Sequence, residues 1–123
     1  MNTLGQTLVH LCSAQSWSDI LQCGELCPEP GAGFIHLSKP EQVHLPANRL
    51  YRGRRDLLLL HIDRGRLRSP LRWESGTATD PAGMVFPHLY GALPVGAVID
   101  VVAYPPGPDG AFSPVSGPDR GSS

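Results

Sequence analysis

Long apolar runs are missing from this chain of 123 residues. None approaches the roughly 18 residues that a membrane span needs. The opening MNTLGQ has neither the basic stretch nor the apolar stretch of a secretory leader. Charge is also sparse and balanced: 10 lysines and arginines against 11 aspartates and glutamates leave a net charge of -1. Nothing in that balance demands a polyanionic partner. Cysteine is limited to Cys12, Cys23 and Cys27. An odd count without a leader reads as reduced thiols and a cytoplasmic protein.

Several chemical signatures are absent as well. Cys23 and Cys27 have the spacing of a ligand pair, but no second pair follows and no His-Glu-x-x-His occurs, so no metal is expected. There is no Gly-x-Gly-x-x-Gly, no Walker-type glycine loop and no Gly-x-Ser-x-Gly elbow. Nothing near Cys12 or Cys27 plainly lowers a thiol pKa, which disfavours a cysteine nucleophile.

What the chain does have is alternating short elements. TLVHLC (7–12) reads as a strand. Ser13 suits an N-cap. AQSWSDILQC then sets Ala14, Trp17, Ile20 and Leu21 on one helical face, with Gly24 as its stop. FIHL is a second strand. Ser38 and Glu41 form a capping-box pattern for a helix that Pro46 should break or kink, and a further helical piece runs from Pro46 to about Arg52 before Gly53. DLLLLHI (56–62) has the continuous apolarity of a central strand buried on both faces. SPLRWES (69–75) is a weaker strand, GTATDPAGM a loop, FPHLYG (86–91) an aromatic turn and GAVIDVVAY (96–104) a final strand. This order predicts one mixed α+β domain over residues 1–104. The stretch 105–123 is rich in proline, glycine and serine, with only Ala111, Phe112 and Val115 apolar, and reads as a disordered tail.

Five histidines are the candidate chemistry: His10, His36, His44, His61 and His88. His44 reads as an exposed helix residue and His61 as a satisfied core residue. His10, His36 and His88 each end a strand or adjoin turn residues, and with Glu74 they make a candidate site. Tyr90 adds a polar tip to an aromatic wall. RLYRGRR carries Arg49, Arg52, Arg54 and Arg55 around Tyr51, read either as a solvated helix end or as a phosphate-binding cluster.

Four stretches, GFIHLSKPEQV, ANRLYRGRRDLLLLHID, LRWE and FPHLYGALPVGAVIDV, resemble in order the bacterial domain-of-unknown-function 952 family. The likeness covers roughly residues 7–108. That family's fold is similar to the ADP-ribosyltransferase superfamily, which implies an α+β architecture of two small mixed sheets flanked by short helices, with NAD bound between the sheets. The chain is also similar to NAD-dependent RNA 2'-phosphotransferases. Their His-Gly-Thr-Ser and Val-His-Leu-Ser strands match HLCS (10–13) and IHLS (35–38) here. Leu11 stands in place of their glycine, and the acidic residue of many protein ADP-ribosyltransferases has no clear counterpart.

These resemblances imply roles. His36, Glu74 and His88 would be catalytic, and His10, Ser38, Arg49, Arg52 and Tyr90 would bind a nucleotide-like ligand such as NAD. Ser38 would cap a helix whose N-terminus favours an anion. Three classes of function follow: an NAD-using ADP-ribosyl-transfer enzyme, a nucleotide-binding module without turnover, and a structural or interaction domain. No membrane partner is expected, and the likeness leaves nucleic acid open as an acceptor.

Overall fold

The computed structural model describes residues 7–75 and 83–115. It is a mixed α+β protein with few helices and several small antiparallel sheets. Strand β1 (Thr7–Ser13) leads into helix α1 (Ala14–Cys23), followed by the short strands β2 (Glu25–Leu26) and β3 (Ile35–His36). Helix α2 (His44–Leu50) precedes β4 (Leu57–Asp63), β5 (Leu71–Ser75), β6 (Val85–Leu89), β7 (Leu93–Pro94) and β8 (Val98–Ala103). Among the described residues there are two three-stranded sheets, β1-β4-β8 and β3-β6-β5, and one two-stranded sheet, β2-β7. Every pairing is antiparallel, so the sheets are not mixed as the sequence reading had them. No helix among the described residues is long and apolar enough to cross a membrane.

The leucine run takes the central place because both of its faces are covered. Side chains alternate along β4. Leu57 and Leu59 enter one cluster with Val9, Val43 and Ala47, while Leu60 enters another with Cys12 and Ile20 of α1. Further along β4, Ile62 joins Leu8, Leu37 and Leu89 in a third cluster behind the second three-stranded sheet. Helix α1 has the ends that its sequence encodes. Ser13 Oγ accepts the Ser16 N–H at 3.0 Å, and Gly24, at φ 87°, donates its N–H to Ile20 O at 2.8 Å. Only Trp17 and Ile20 turn inward. Leu21 is 53% exposed and Ala14 is exposed too, so the buried stripe is narrower than the periodicity implied.

Three local readings are corrected. Ser38 does not cap a helix: its backbone pairs with Val9 in both directions, at 2.8 and 2.9 Å. Residues 40–43 form turns instead, pinned by Gln42, whose Oε1 accepts the Lys39 N–H and whose Nε2 donates to Val85 O. Pro46 does not break the helix either. It lies in the first turn of α2, where a missing N–H is unneeded. FPHLYG is not a turn, because Phe86 to Leu89 belong to β6 and pair with β3 on one side and β5 on the other. Of the loop GTATDPAGM, residues 76–82 lie outside the described residues.

The stretch 105–115 is packed on the domain rather than disordered. Phe112 is 3% exposed, in one cluster with Val9, Val43, Ala47, Leu57, Leu59 and Tyr104. Asn48 holds the Phe112 backbone through both amide atoms, and Tyr104 O–H donates to Ser113 O at 2.6 Å. Composition misses this because one aromatic anchor and a few backbone grips can fix a segment that is otherwise polar. Residues 116–123 lie outside the described residues.

Candidate functional site

The sheet β3-β6-β5 has two unlike faces, and its register explains why. His36 pairs with His88, and His88 pairs with Arg72, so the three lie in one row across the strands. Because side chains alternate, the neighbours Ile35, Leu71 and Leu89 go to the opposite side and build the core. The face that carries the histidines also takes Phe86 and Glu74, directly paired across β6 and β5. Together with β1, α2 and the loop after β2, this face encloses a cavity of about 750 Å³. That lies within the range of small-molecule sites.

His10, His36, Ser38, Arg49, Glu74 and His88 all line the cavity. Arg52 does not: it is exposed, whereas Tyr51 and Arg54 from the same segment do line it. Tyr90 is not a lining residue. It reaches the site through Glu74, donating its O–H to Oε1 at 2.7 Å. That bond, with lesser contributions from burial and the carboxylate's charge, raises the pKa of the phenol. The Arg72 guanidinium lies over the Tyr90 ring at 5.1 Å. Arg54 is paired with Asp56 at 2.6 Å and lies over Tyr51 at 5.6 Å.

The imidazoles are held in defined states. His10 Nδ1 is 2.9 Å from His36 O, and His88 Nδ1 is 2.8 Å from Phe86 O. A carbonyl can only accept, so both Nδ1 atoms carry the proton, and in the neutral ring Nε2 keeps its lone pair. Glu74 Oε1 is 3.9 Å from His88 Nδ1, too far to compete for that proton. Burial lowers the pKa of His10, against a raising effect of its bond to His36 O. Burial, the neighbouring His88 and the charge of Arg49 lower the pKa of His36. Both rings are therefore neutral at pH 7. Phe34 closes the group, with its ring 5.0 Å from His36 and 4.9 Å from His88. Cys12 also lines the cavity, but burial pushes its thiol up to about 11, so it is no nucleophile at neutral pH. Among the described residues, no group of three or more histidine, cysteine or acidic side chains could hold a metal ion.

A family model described as "Protein of unknown function (DUF952)" matches residues 11–101. The chain belongs to the DUF952 family. It is similar to the crystal structure of protein CC0527 from Caulobacter crescentus, with 28% identity, 87% of this chain and 93% of that chain covered, and a TM-score of 0.74. The solution NMR structure of CC0527 gives 29% identity, coverage of 86% and 90%, and a TM-score of 0.70. No curated protein matches the chain. The DUF952 match includes every lining residue named above except His10, one position before it begins.

Sequence reasoning missed Phe34, which lines this DUF952 cavity, and Arg72, which shares the histidine row and lies over Tyr90 without lining the cavity. The signal was the period of two in Phe34-His36 and in Phe86-His88-Tyr90, which only a strand reading of FPHLYG brings out. Two other histidines also depart from expectation. His61 is buried as expected, but its Nδ1 has no hydrogen-bond partner, and burial lowers its pKa. His44 is half-buried rather than exposed, and its Nδ1 also has no partner.

The histidines fix the direction of the pH response. His10, His36 and His61 all have folded pKa values below the usual histidine value. In the unfolded chain they titrate near 6.5. Below that pH the unfolded state binds more protons, so stability is full above about pH 6.5 and is lost as the pH falls toward the folded values. Urea midpoints measured from pH 7.5 down to pH 5 should fall, and they should fall less in His61→Leu. A midpoint that is flat or rises on acidification would contradict this assignment.

Proposed function

We propose that this DUF952 protein binds a nucleotide of the NAD or ADP-ribose class in the histidine cavity and transfers its ADP-ribosyl group, on an ADP-ribosyltransferase-like fold. The observation that carries the reading is the division of the cavity wall. The strands offer acceptors, the Glu74 carboxylate and the Nε2 atoms of the histidines, while α2 offers the Arg49 guanidinium. A ribosyl diphosphate needs both kinds of partner: acceptors for its hydroxyls and a cation for its phosphates. The cavity volume suits such a ligand.

Bound NAD would supply a glycosidic bond whose leaving group, nicotinamide, departs neutral with the bonding electrons. Glu74, fixed by Tyr90, would stabilise positive charge developing on the ribose. The His36 imidazole, or His88 through its Nε2 lone pair, would take the proton that the acceptor loses. Arg49 and Ser38 would hold phosphate oxygens, and His10 would orient a ribose hydroxyl. Arg52 has no role in this arrangement.

One observation favours the second reading, a binding module without turnover. Leu11 lines the cavity, so its side chain occupies space that a glycine would leave to the ligand. Binding itself is tested by thermal denaturation with ADP-ribose and NAD. Ligand at 100 times its dissociation constant should stabilise the fold by about 2.7 kcal/mol. At roughly 4–8 °C per kcal/mol, the melting temperature should rise by more than about 10 °C. His36→Ala should remove the shift. No shift with either ligand in the wild type would reject the nucleotide reading.

A further inference from the structure

Asn48 and Arg49 are adjacent on α2, and their side chains go to different places. Arg49 lines the cavity and its charge acts on His36. Asn48 grips the segment 105–115: Nδ2 donates to Phe112 O at 3.0 Å, and Oδ1 accepts the Phe112 N–H at 2.7 Å. That is the pair of bonds one strand offers another, made here by a side chain. Phe112 is buried in one cluster with Val43 and Ala47, the N-cap residue and an interior residue of α2. Just beyond the helix, Gly53 N–H donates to Gly110 O at 2.9 Å.

Helix α2 needs such support. It has seven residues and no side-chain cap. Isolated helices shorter than roughly 12–15 residues are marginal in water, so tertiary contacts set its position. We propose that Asn48 is a positioning residue: clasped to the Phe112 backbone, it holds α2 so that Arg49 is presented to the cavity beside His36. The consequence for ligand binding rests on the nucleotide reading above, whereas the clasp itself does not.

The test is an NMR titration of the His36 imidazole in the full chain, in the wild type, Arg49→Gln, Asn48→Ala and the double variant. The titratable and charged groups lining the cavity with His36 are His10 and Cys12 from β1, Arg49 from α2, Glu74 from β5 and His88 from β6, with Cys27 and Glu29 from the loop after β2 and Tyr51 and Arg54 after α2. Removing the Arg49 charge should raise the pKa of His36. Asn48→Ala should raise it in the same direction, and the double variant should rise no further than Arg49→Gln, because one residue acts through the other. Asn48→Ser, uncharged and able to keep one of the two bonds, should give a smaller rise and serves where Asn48→Ala does not fold. The affinity for ADP-ribose should fall about tenfold in Asn48→Ala, within the range of such coupling, with no further loss in the double variant relative to Arg49→Gln. A His36 titration unmoved by Arg49→Gln, unmoved by Asn48→Ala, or shifted additively in the double variant would overturn the clasp. A wild type that does not bind ADP-ribose would overturn the nucleotide reading, and the His36 titration would still decide the clasp.

Discussion

Phe112→Ala should destabilise the protein by about 3–5 kcal/mol, the usual cost of emptying a buried phenylalanine site. The ring is buried in one cluster with Val9 and Leu59 of the central sheet and Ala47 of α2, and the Tyr104 ring lies 5.0 Å from it. Rigid strands and a helix cannot close fully over a cavity, which places the loss toward the upper part of the range. Equilibrium urea denaturation measures it, and the melting temperature should fall by more than about 12 °C at roughly 4–8 °C per kcal/mol. Leu21→Ala is the control. That side chain is 53% exposed, so its loss should stay within about 0.5 kcal/mol. A Phe112→Ala loss as small as the control's would show that residues 105–115 do not hold the fold.

That expectation reverses what composition alone says of the last stretch, and the reason is physical. Composition averages over a window, whereas docking is decided by single side chains and by backbone groups that find partners. Phe112 meets the α2 face, and Asn48, 64 positions away, satisfies its backbone. No local pattern carries that pairing. Where information is local, the sequence is legible. Ser13 and Gly24 end α1 by bonds within a few residues, and the leucine run announces a strand covered on both faces. Ser38 marks the boundary between the two cases. Its capping pattern is genuine, but the long-range pairing with Val9 offers its backbone a strand partner, and the helix begins six residues later.

The site follows the same division. His36 and His88 do lie near strand ends, but His10 sits in the middle of β1, paired with Leu60, so strand ends alone do not explain why His10, His36, Glu74 and His88 meet. How they are arranged was not readable, because it depends on the register of β3, β6 and β5. The register puts Arg72 in the row with His36 and His88, and it leaves Tyr90 acting on Glu74 rather than lining the cavity. Arg52 shows the opposite failure. It belongs to the arginine-rich segment, yet the helical rotation of α2 delivers Arg49 to the cavity and the chain has turned away by Arg52.

Under the transfer reading, Glu74→Gln should reduce nicotinamide release from NAD by at least about a hundredfold in kcat, the order expected when a group that stabilises transition-state charge is lost. KM should change little, because ground-state NAD carries no full positive charge on the ribose for Glu74 to meet. The substitution is nearly isosteric, and Gln Oε1 can still accept the Tyr90 O–H that now lies 2.7 Å from Glu74 Oε1. Structure and stability should therefore survive, and the loss reports the charge alone. Tyr90→Phe removes the support and keeps the charge, so it should cost less, about tenfold. If Glu74→Gln turned over NAD at the wild-type rate, the carboxylate would have no part in the chemistry. If the wild type bound ADP-ribose with the expected thermal shift and released no nicotinamide with any acceptor, the Leu11 observation would prevail, and the cavity would be a binding site that does not turn its ligand over.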